Sequence, residues 1–202
     1  MNRIEFIASL TKGFDKVIDI GSDHGLVLKK AIDQNFIKEG IATDLNIGPL
    51  NHAKKTLTGY PVEFYLSDGL ESIISDYDLG IITGMGPNLI GDIMKKASKD
   101  KTYILGANEK IEVLRQIICD LGFMIIDEYV IYDDFYYVFL KVTGGQMHLT
   151  ESDLYLGPIL KNKVEAIPYY AHKATYYENL LTKTKGKRLE ELGKLYTIYK
   201  RF

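Results

Sequence analysis

Acidic side chains recur where strands are expected to end, and glycines stand beside them. The first group is Asp19-Ile20-Gly21-Ser22-Asp23-His24-Gly25, in which a short apolar run, Val17 to Ile20, empties into a glycine turn before a helical pattern starting at Leu26. Such a strand-turn-helix unit brings backbone close to a ligand at Gly21 and offers the N–H groups of the next helix. A dinucleotide site wants G-x-G-x-x-G. This turn reads Asp-x-Gly-x-x-x-Gly, with Asp23 where the middle glycine would stand. Carboxylates at 19 and 23 repel a pyrophosphate and suit a cation, and S-adenosylmethionine (SAM) carries both a sulfonium and an ammonium. The second group is Asp44, about 20 residues past the turn, where doubly wound folds place an acceptor for ribose hydroxyls. The third is Ser67-Asp68-Gly69, placed to meet an adenine amino group. Taken singly, each has a plainer reading: a βα turn, a helix cap, an Asp-Gly turn pair. Three strand ends in register make a cofactor site of Asp19, Gly21, Ser22, Gly25, Asp44, Asp68 and Gly69.

The pattern around these residues predicts alternating strands and helices. A short helix over 3–11 is followed by strands at 17–20, 40–43, 62–66, 79–83 and 102–105, with helical periodicity between them. Gly84-Met85-Gly86-Pro87 follows the fourth strand and Gly106-Ala107-Asn108 the fifth. Then Phe123 to Tyr132 and Phe135 to Val142 read as a hairpin across Asp133-Asp134. Seven strands result, in a mostly parallel α/β sheet with one antiparallel strand near its edge and the ligand at the carboxyl ends. Thr143-Gly144-Gly145-Gln146 marks a boundary, giving units 1–149 and 150–202. In the second unit Pro158 is expected to open a helix and Pro168 to kink or break one. Tyr170, Ala174, Tyr177 and Leu181 are out of phase with Leu189, Leu192, Tyr196 and Tyr199 across Gly186, which predicts a helical hairpin. Its tyrosines at this spacing are expected to pack helices more than to stack on bases.

No apolar run approaches the roughly 20 residues that span a bilayer, and the charged start is unlike a secretory signal. Cys119 is the only cysteine, so no internal disulfide forms and a reducing cytoplasm fits. His52, His148 and His172 lack metal-ligand spacing, and no metal site is expected. Net charge is −2, yet residues 161–202 hold ten basic against four acidic side chains, near +6, leaving the body near −8. Lys183, Lys185, Lys187 and Arg188, around the hairpin tip, are the candidate phosphate contacts for a polyanion. A solvated helical face is the competing account of the same charges.

Together the motifs resemble the TrmK family of bacterial tRNA (adenine-22 N1)-methyltransferases. The resemblance is carried by Asp19-Ile20-Gly21-Ser22-Asp23-His24-Gly25, Ala42-Thr43-Asp44, Asp68-Gly69-Leu70-Glu71, Ile82-Thr83-Gly84-Met85-Gly86, Asn108 and Leu156-Gly157-Pro158-Ile159-Leu160, and spans nearly the whole chain. The sequence departs from the family pattern at Pro87 and Gly106-Ala107 and has no tryptophan. The resemblance implies a class I SAM-dependent methyltransferase domain, Rossmann-like, with a C-terminal coiled-coil-like helical domain. It implies tRNA as partner, SAM as cofactor, Gly84 and Met85 as further cofactor residues, and Asp23, His24 and Asn108 around the target base. Adenine N1 has an in-plane lone pair and loses no proton before attack, so positioning and desolvation dominate, and the base must be unstacked or flipped to present this edge. A nicotinamide oxidoreductase of similar fold and an RNA-binding protein with a relict pocket remain alternatives. The oligomeric state is open, with a monomer favoured.

Overall fold

The computed structural model describes residues 1–22 and 24–202. Seven strands form one sheet in the order β3-β2-β1-β4-β5-β7-β6. They are β1 (Lys16–Ile20), β2 (Glu39–Asp44), β3 (Val62–Leu66), β4 (Leu79–Met85), β5 (Thr102–Ala107), β6 (Phe123–Asp133) and β7 (Phe135–Gly144). Strands β1 to β5 pair in parallel, while β7 is antiparallel to both β5 and β6. The expected single antiparallel strand next to the edge is therefore present. Strand order reverses between β1 and β4, so a crevice opens beyond their carboxyl ends.

Buried β-branched runs hold the centre of the sheet, with Val17, Ile18, Ile41, Ile81, Ile82 and Ile104 almost fully excluded from water. Such runs are what a sheet covered on both faces requires. One face is covered by α1 (Arg3–Ser9), α2 (Leu26–Asp33) and α3 (Ile47–Thr56), through side chains such as Ile7, Leu28 and Ala53. The other receives α4 (Pro87–Met94) and α5 (Ile111–Asp120), through Ile90, Leu114 and Ile118. Burying each large aliphatic side chain contributes about 1.5–3 kcal/mol. Helix α1 is fixed at its start by a capping box, Asn2 Oδ1 accepting from the Glu5 amide at 2.9 Å. Phe6 then packs on the Phe139 ring at 5.8 Å, and the Arg3 amide donates to Asp133 of the β6–β7 hairpin at 2.8 Å. These contacts draw the start of the helix toward the edge where the parallel strands end.

The C-terminal segment differs from expectation in two details. A helix the periodicity missed, α6 (Glu151–Leu156), precedes Pro158, and that proline leads only into short 3-10 turns over Leu160–Asn162 and Val164–Ala166. The signal was a capping box, Thr150 to Asp153, in a stretch too short for periodicity to register. Pro168 lies in the first turn of α7 (Ile167–Leu181) and opens it without a kink, because the first amides of a helix have no intrahelical acceptor to lose. Across Gly186, α8 (Lys187–Tyr199) returns along α7, and the Tyr177 and Tyr199 rings stack at 5.6 Å. Tyr169, Tyr170 and Tyr199 are buried in the same hydrophobic cluster as Leu114 and Leu140 of the main fold. The tail tyrosines named by spacing do pack the hairpin. No helix among the described residues is long and apolar enough to cross a membrane.

Candidate active site

Parallel register brings the strand ends together. Ile20 of β1 lies beside Thr43 of β2 and Ile82 of β4, so the turns that follow all open at one edge. The β1–α2 turn is tied down by Gly21 and Ser22, whose amides both donate to the Thr43 carbonyl at 2.9 Å. Gly25 ends it at φ +67, where a Cβ would also meet Leu57 at 2.5 Å. Only glycine satisfies both constraints.

A cavity of about 300 Å³ lies over this turn, lined by Asp19, Gly21, Ser22, His24, Gly25 and Gly84 among others. Six of the sequence-predicted residues thus share one pocket. Asp19 is 7% exposed and burial pushes its carboxyl up to about 6, an effect that nearby Ser22 only partly offsets. The Ser22 and Thr43 hydroxyls are buried without a hydrogen bond of full geometry among the described residues. The buried Ser22 hydroxyl and the buried Asp19 carboxyl, both in this lining, are the features of a site that receives a polar, cationic ligand. His24 is exposed and its ring stacks on His52 at 5.5 Å. Asp23 lies outside the described residues.

Asp44 and Asp68 stand at the neighbouring ends of β2 and β3, outside the wall of that cavity. One Asp44 oxygen accepts from the Asn46 amide at 2.8 Å, which orients the carboxylate. Asp68 is exposed, and Gly69 after it turns at φ +59 against Ile93. Met85 reaches back so that its terminal methyl covers Gly21.

Strand β4 ends in a bulge between Thr83 and Met85, with Gly84 at φ +81. The bulge turns the Gly84 carbonyl to Asn108, whose Nδ2 donates to it at 2.8 Å while its amide donates to the Met85 carbonyl at 3.0 Å. Asn108 is therefore locked to the end of β4. Its Oδ1 is left as an acceptor facing solvent at the same edge. Arg3, which sequence reasoning did not single out, lines the Asp19 cavity and also the larger one that Asn108 borders. Its helix was legible but its docking was not. Lys183, Lys185, Lys187 and Arg188 are all exposed around the α7–α8 turn, apart from both cavities. Among the described residues no group of side chains could hold a metal ion.

Comparison with known proteins agrees with this geometry. Over 100% of this chain and 98% of the other, the fold superposes on Sp1610 of Streptococcus pneumoniae, provisionally named a tRNA (m1A22) methyltransferase, with a TM-score of 0.88 and 27% identity. That protein has also been crystallised with S-adenosyl-L-methionine (TM-score 0.85, 25% identity). TrmK of M. capricolum, in complex with S-adenosyl-homocysteine, matches with a TM-score of 0.83 and 25% identity over 98% of this chain and 95% of that one. A curated Mycoplasma pneumoniae protein, provisionally named a tRNA methyltransferase, is 29% identical over 164 residues, 75% of this chain and 77% of its own. The resemblance first carried by the motifs is borne out along the whole chain. Residues 1–140 match the methyltransferase domain family, and the chain belongs to it.

Proposed function

We propose that the protein methylates N1 of an adenine in tRNA, position 22 by likeness, with SAM as methyl donor. The observation that carries the reading is the full-length match to Sp1610, which includes the C-terminal helical hairpin that unrelated methyltransferases of this fold need not have. The chain's own residues fit the cofactor. Asp19 faces the cation, the Ser22 hydroxyl takes the polar end, Asp44 accepts from the ribose, and Asp68 with Gly69 borders the adenine. When bound, SAM supplies a methyl group activated by its positive sulfur.

What the chain contributes is placement. Asn108 Oδ1, held by the bond from Nδ2 to Gly84, accepts from the exocyclic amine of the target adenine and so points N1 toward the cofactor cleft. His24, at the cleft mouth over His52, borders the same edge of the target base. Residues 1–149 perform the chemistry, and residues 150–202 grip the RNA. The acting unit is a monomer working in the cytoplasm, where tRNA is found. Incubating the protein with total tRNA and labelled SAM should yield N1-methyladenosine on nucleoside analysis by mass spectrometry. Label appearing only in methylated cytidine or guanosine rejects the reading.

Asp19 adds a pH signature. Burial raises its pKa from the unfolded value of 3.8 to about 6, so between these values the native state holds the proton and stability falls as pH rises. Cofactor binding runs the other way, because a cation prefers the carboxylate. SAM affinity measured by calorimetry should rise through about pH 6, and Asp19→Asn should bind weakly with no such rise. A wild-type affinity that is flat across that range removes Asp19 from the cofactor's cation.

A further inference from the structure

A cavity of about 960 Å³ lies next to the cofactor cleft. It exists because the β6–β7 hairpin outruns the sheet. Leu105 of β5 pairs with Leu140 of β7, and beyond it residues 135–139 pair with β6 alone. At about 3.4 Å per residue the hairpin projects roughly 17 Å past that point. The space alongside is closed by the β5–α5 turn at Asn108 and by the first turns of α7, at Tyr169 and Lys173. Asn108 and Arg3 border it, so it is continuous with the place proposed for the target base.

Its lining is aromatic and balanced in charge. Arg3, Lys110 and Lys173 are matched in number by Glu109, Glu112 and Asp134. A groove that tracked phosphates would be basic, as single-strand channels are. Tyr132 and Phe135, on either side of the hairpin tip, are 64% and 70% exposed, although rings of this size are usually covered. Tyr132 is held edge-on by Tyr136 at 5.0 Å, and Tyr136 in turn rests on Tyr169 and His172 of α7. Tyr132 is thereby braced against α7. Lys173 keeps its ammonium over the Tyr169 ring at 5.8 Å.

We propose that this cavity seats the unstacked nucleotides flanking the target adenine, whose bases stack on Tyr132 and Phe135. The proposal rests on the reading of the protein as a tRNA methyltransferase. It assigns base stacking to the hairpin tip, a role distinct from the charge of the α7–α8 turn. Flipping the target base unstacks its neighbours, and aromatic platforms recover that loss whatever the base.

The test compares wild type with a Tyr132→Ala/Phe135→Ala double variant in tRNA binding at several salt concentrations, in SAM affinity and in methylation of total tRNA. One stacked base is worth roughly fivefold or more in affinity, so the double variant should bind tRNA about thirtyfold or more weakly. Its salt slope and SAM affinity should match wild type, since no charge and no cofactor contact is removed. The ring-preserving pair Tyr132→Phe and Phe135→Tyr should bind nearly as wild type does. Equal tRNA affinity for the alanine double variant and an active wild type overturns the inference while leaving the tRNA reading intact. Wild type that fails to methylate tRNA removes that reading and the inference with it. A wild-type dimer dissolved by the alanine double variant, with tRNA affinity unchanged, gives these rings to a second copy of the chain and also overturns the inference.

Discussion

Replacing Glu128 with alanine is expected to destabilise the protein by about 3–5 kcal/mol, the cost of leaving a buried charge without its partner. Glu128 on β6 and Arg115 on α5 are both fully buried, with Nε donating to Oε1 at 2.8 Å. The other carboxylate oxygen accepts from the amides of Ile159 and Leu160 at 2.9 and 2.8 Å, and Arg115 Nη1 donates to the carbonyls of Leu154 and Tyr155 at 2.6 and 3.2 Å. One ion pair thus fastens the end of α6 and the chain leading to α7 onto the main fold. Alanine at 128 strands a guanidinium and two amides together. For a chain of this length each 1 kcal/mol shifts Tm by about 2–4 °C, so thermal unfolding should begin roughly 10 °C lower. Glu128→Gln keeps an acceptor for the amides and should lose less. An apolar pair of similar volume, Arg115→Met with Glu128→Leu, should recover part of the loss, because it removes the charge that the single variant leaves exposed to a low dielectric. An unchanged Tm for Glu128→Ala would show that water reaches the pair.

The tail should show the largest effect on RNA binding. Lys183, Lys185, Lys187 and Arg188 are exposed at the α7–α8 turn, and none forms a salt bridge among the described residues. Other lysines of the chain are neutralised locally: Lys16 by Glu63 at 2.5 Å, Lys30 by Glu5 at 2.9 Å, Lys163 by Asp127 at 2.6 Å. Among the described residues the charge of the turn is not neutralised in this way. Each phosphate contact releases about 0.7–0.9 counterions, so replacing all four with alanine should lower the log–log salt slope of tRNA binding by about three. SAM affinity should not change. The aromatic double variant at the hairpin tip is expected to do the reverse, weakening affinity with no change of slope. Identical slopes for wild type and the quadruple variant would make these charges a solvated surface.

Much of the candidate site could be read from the chain because its signals are local. Asp19, Gly21, Ser22, His24, Gly25 and Gly84 each sit within a few residues of a strand end, and parallel strands bring their carboxyl ends to one edge whatever fills the helices between. Asn108 was legible for the same reason, as the residue after β5. Arg3, Tyr132 and Lys173 were not. Tyr132 and Lys173 line the neighbouring cavity from β6 and α7, Arg3 lines both cavities from α1, and nothing in their spacing states which edge those elements dock against.

By itself the sequence determined the alternation of strands and helices, the hairpin at Asp133-Asp134 and the phase break at Gly186, since periodicity, turn chemistry and glycine placement act over a few residues. It also determined the charge split between body and tail, which is a matter of composition. Only the tertiary structure decided that Pro168 opens α7, that Arg115 and Glu128 meet across the α5–β6 junction, and that the β6–β7 hairpin stands clear of β5 to leave an aromatic cavity beside Asn108. Those outcomes depend on which buried surfaces and buried charges find each other across long stretches of chain. Such pairing is settled by packing and desolvation in the assembled fold, where a single unsatisfied charge outweighs any local preference of the residues that carry it.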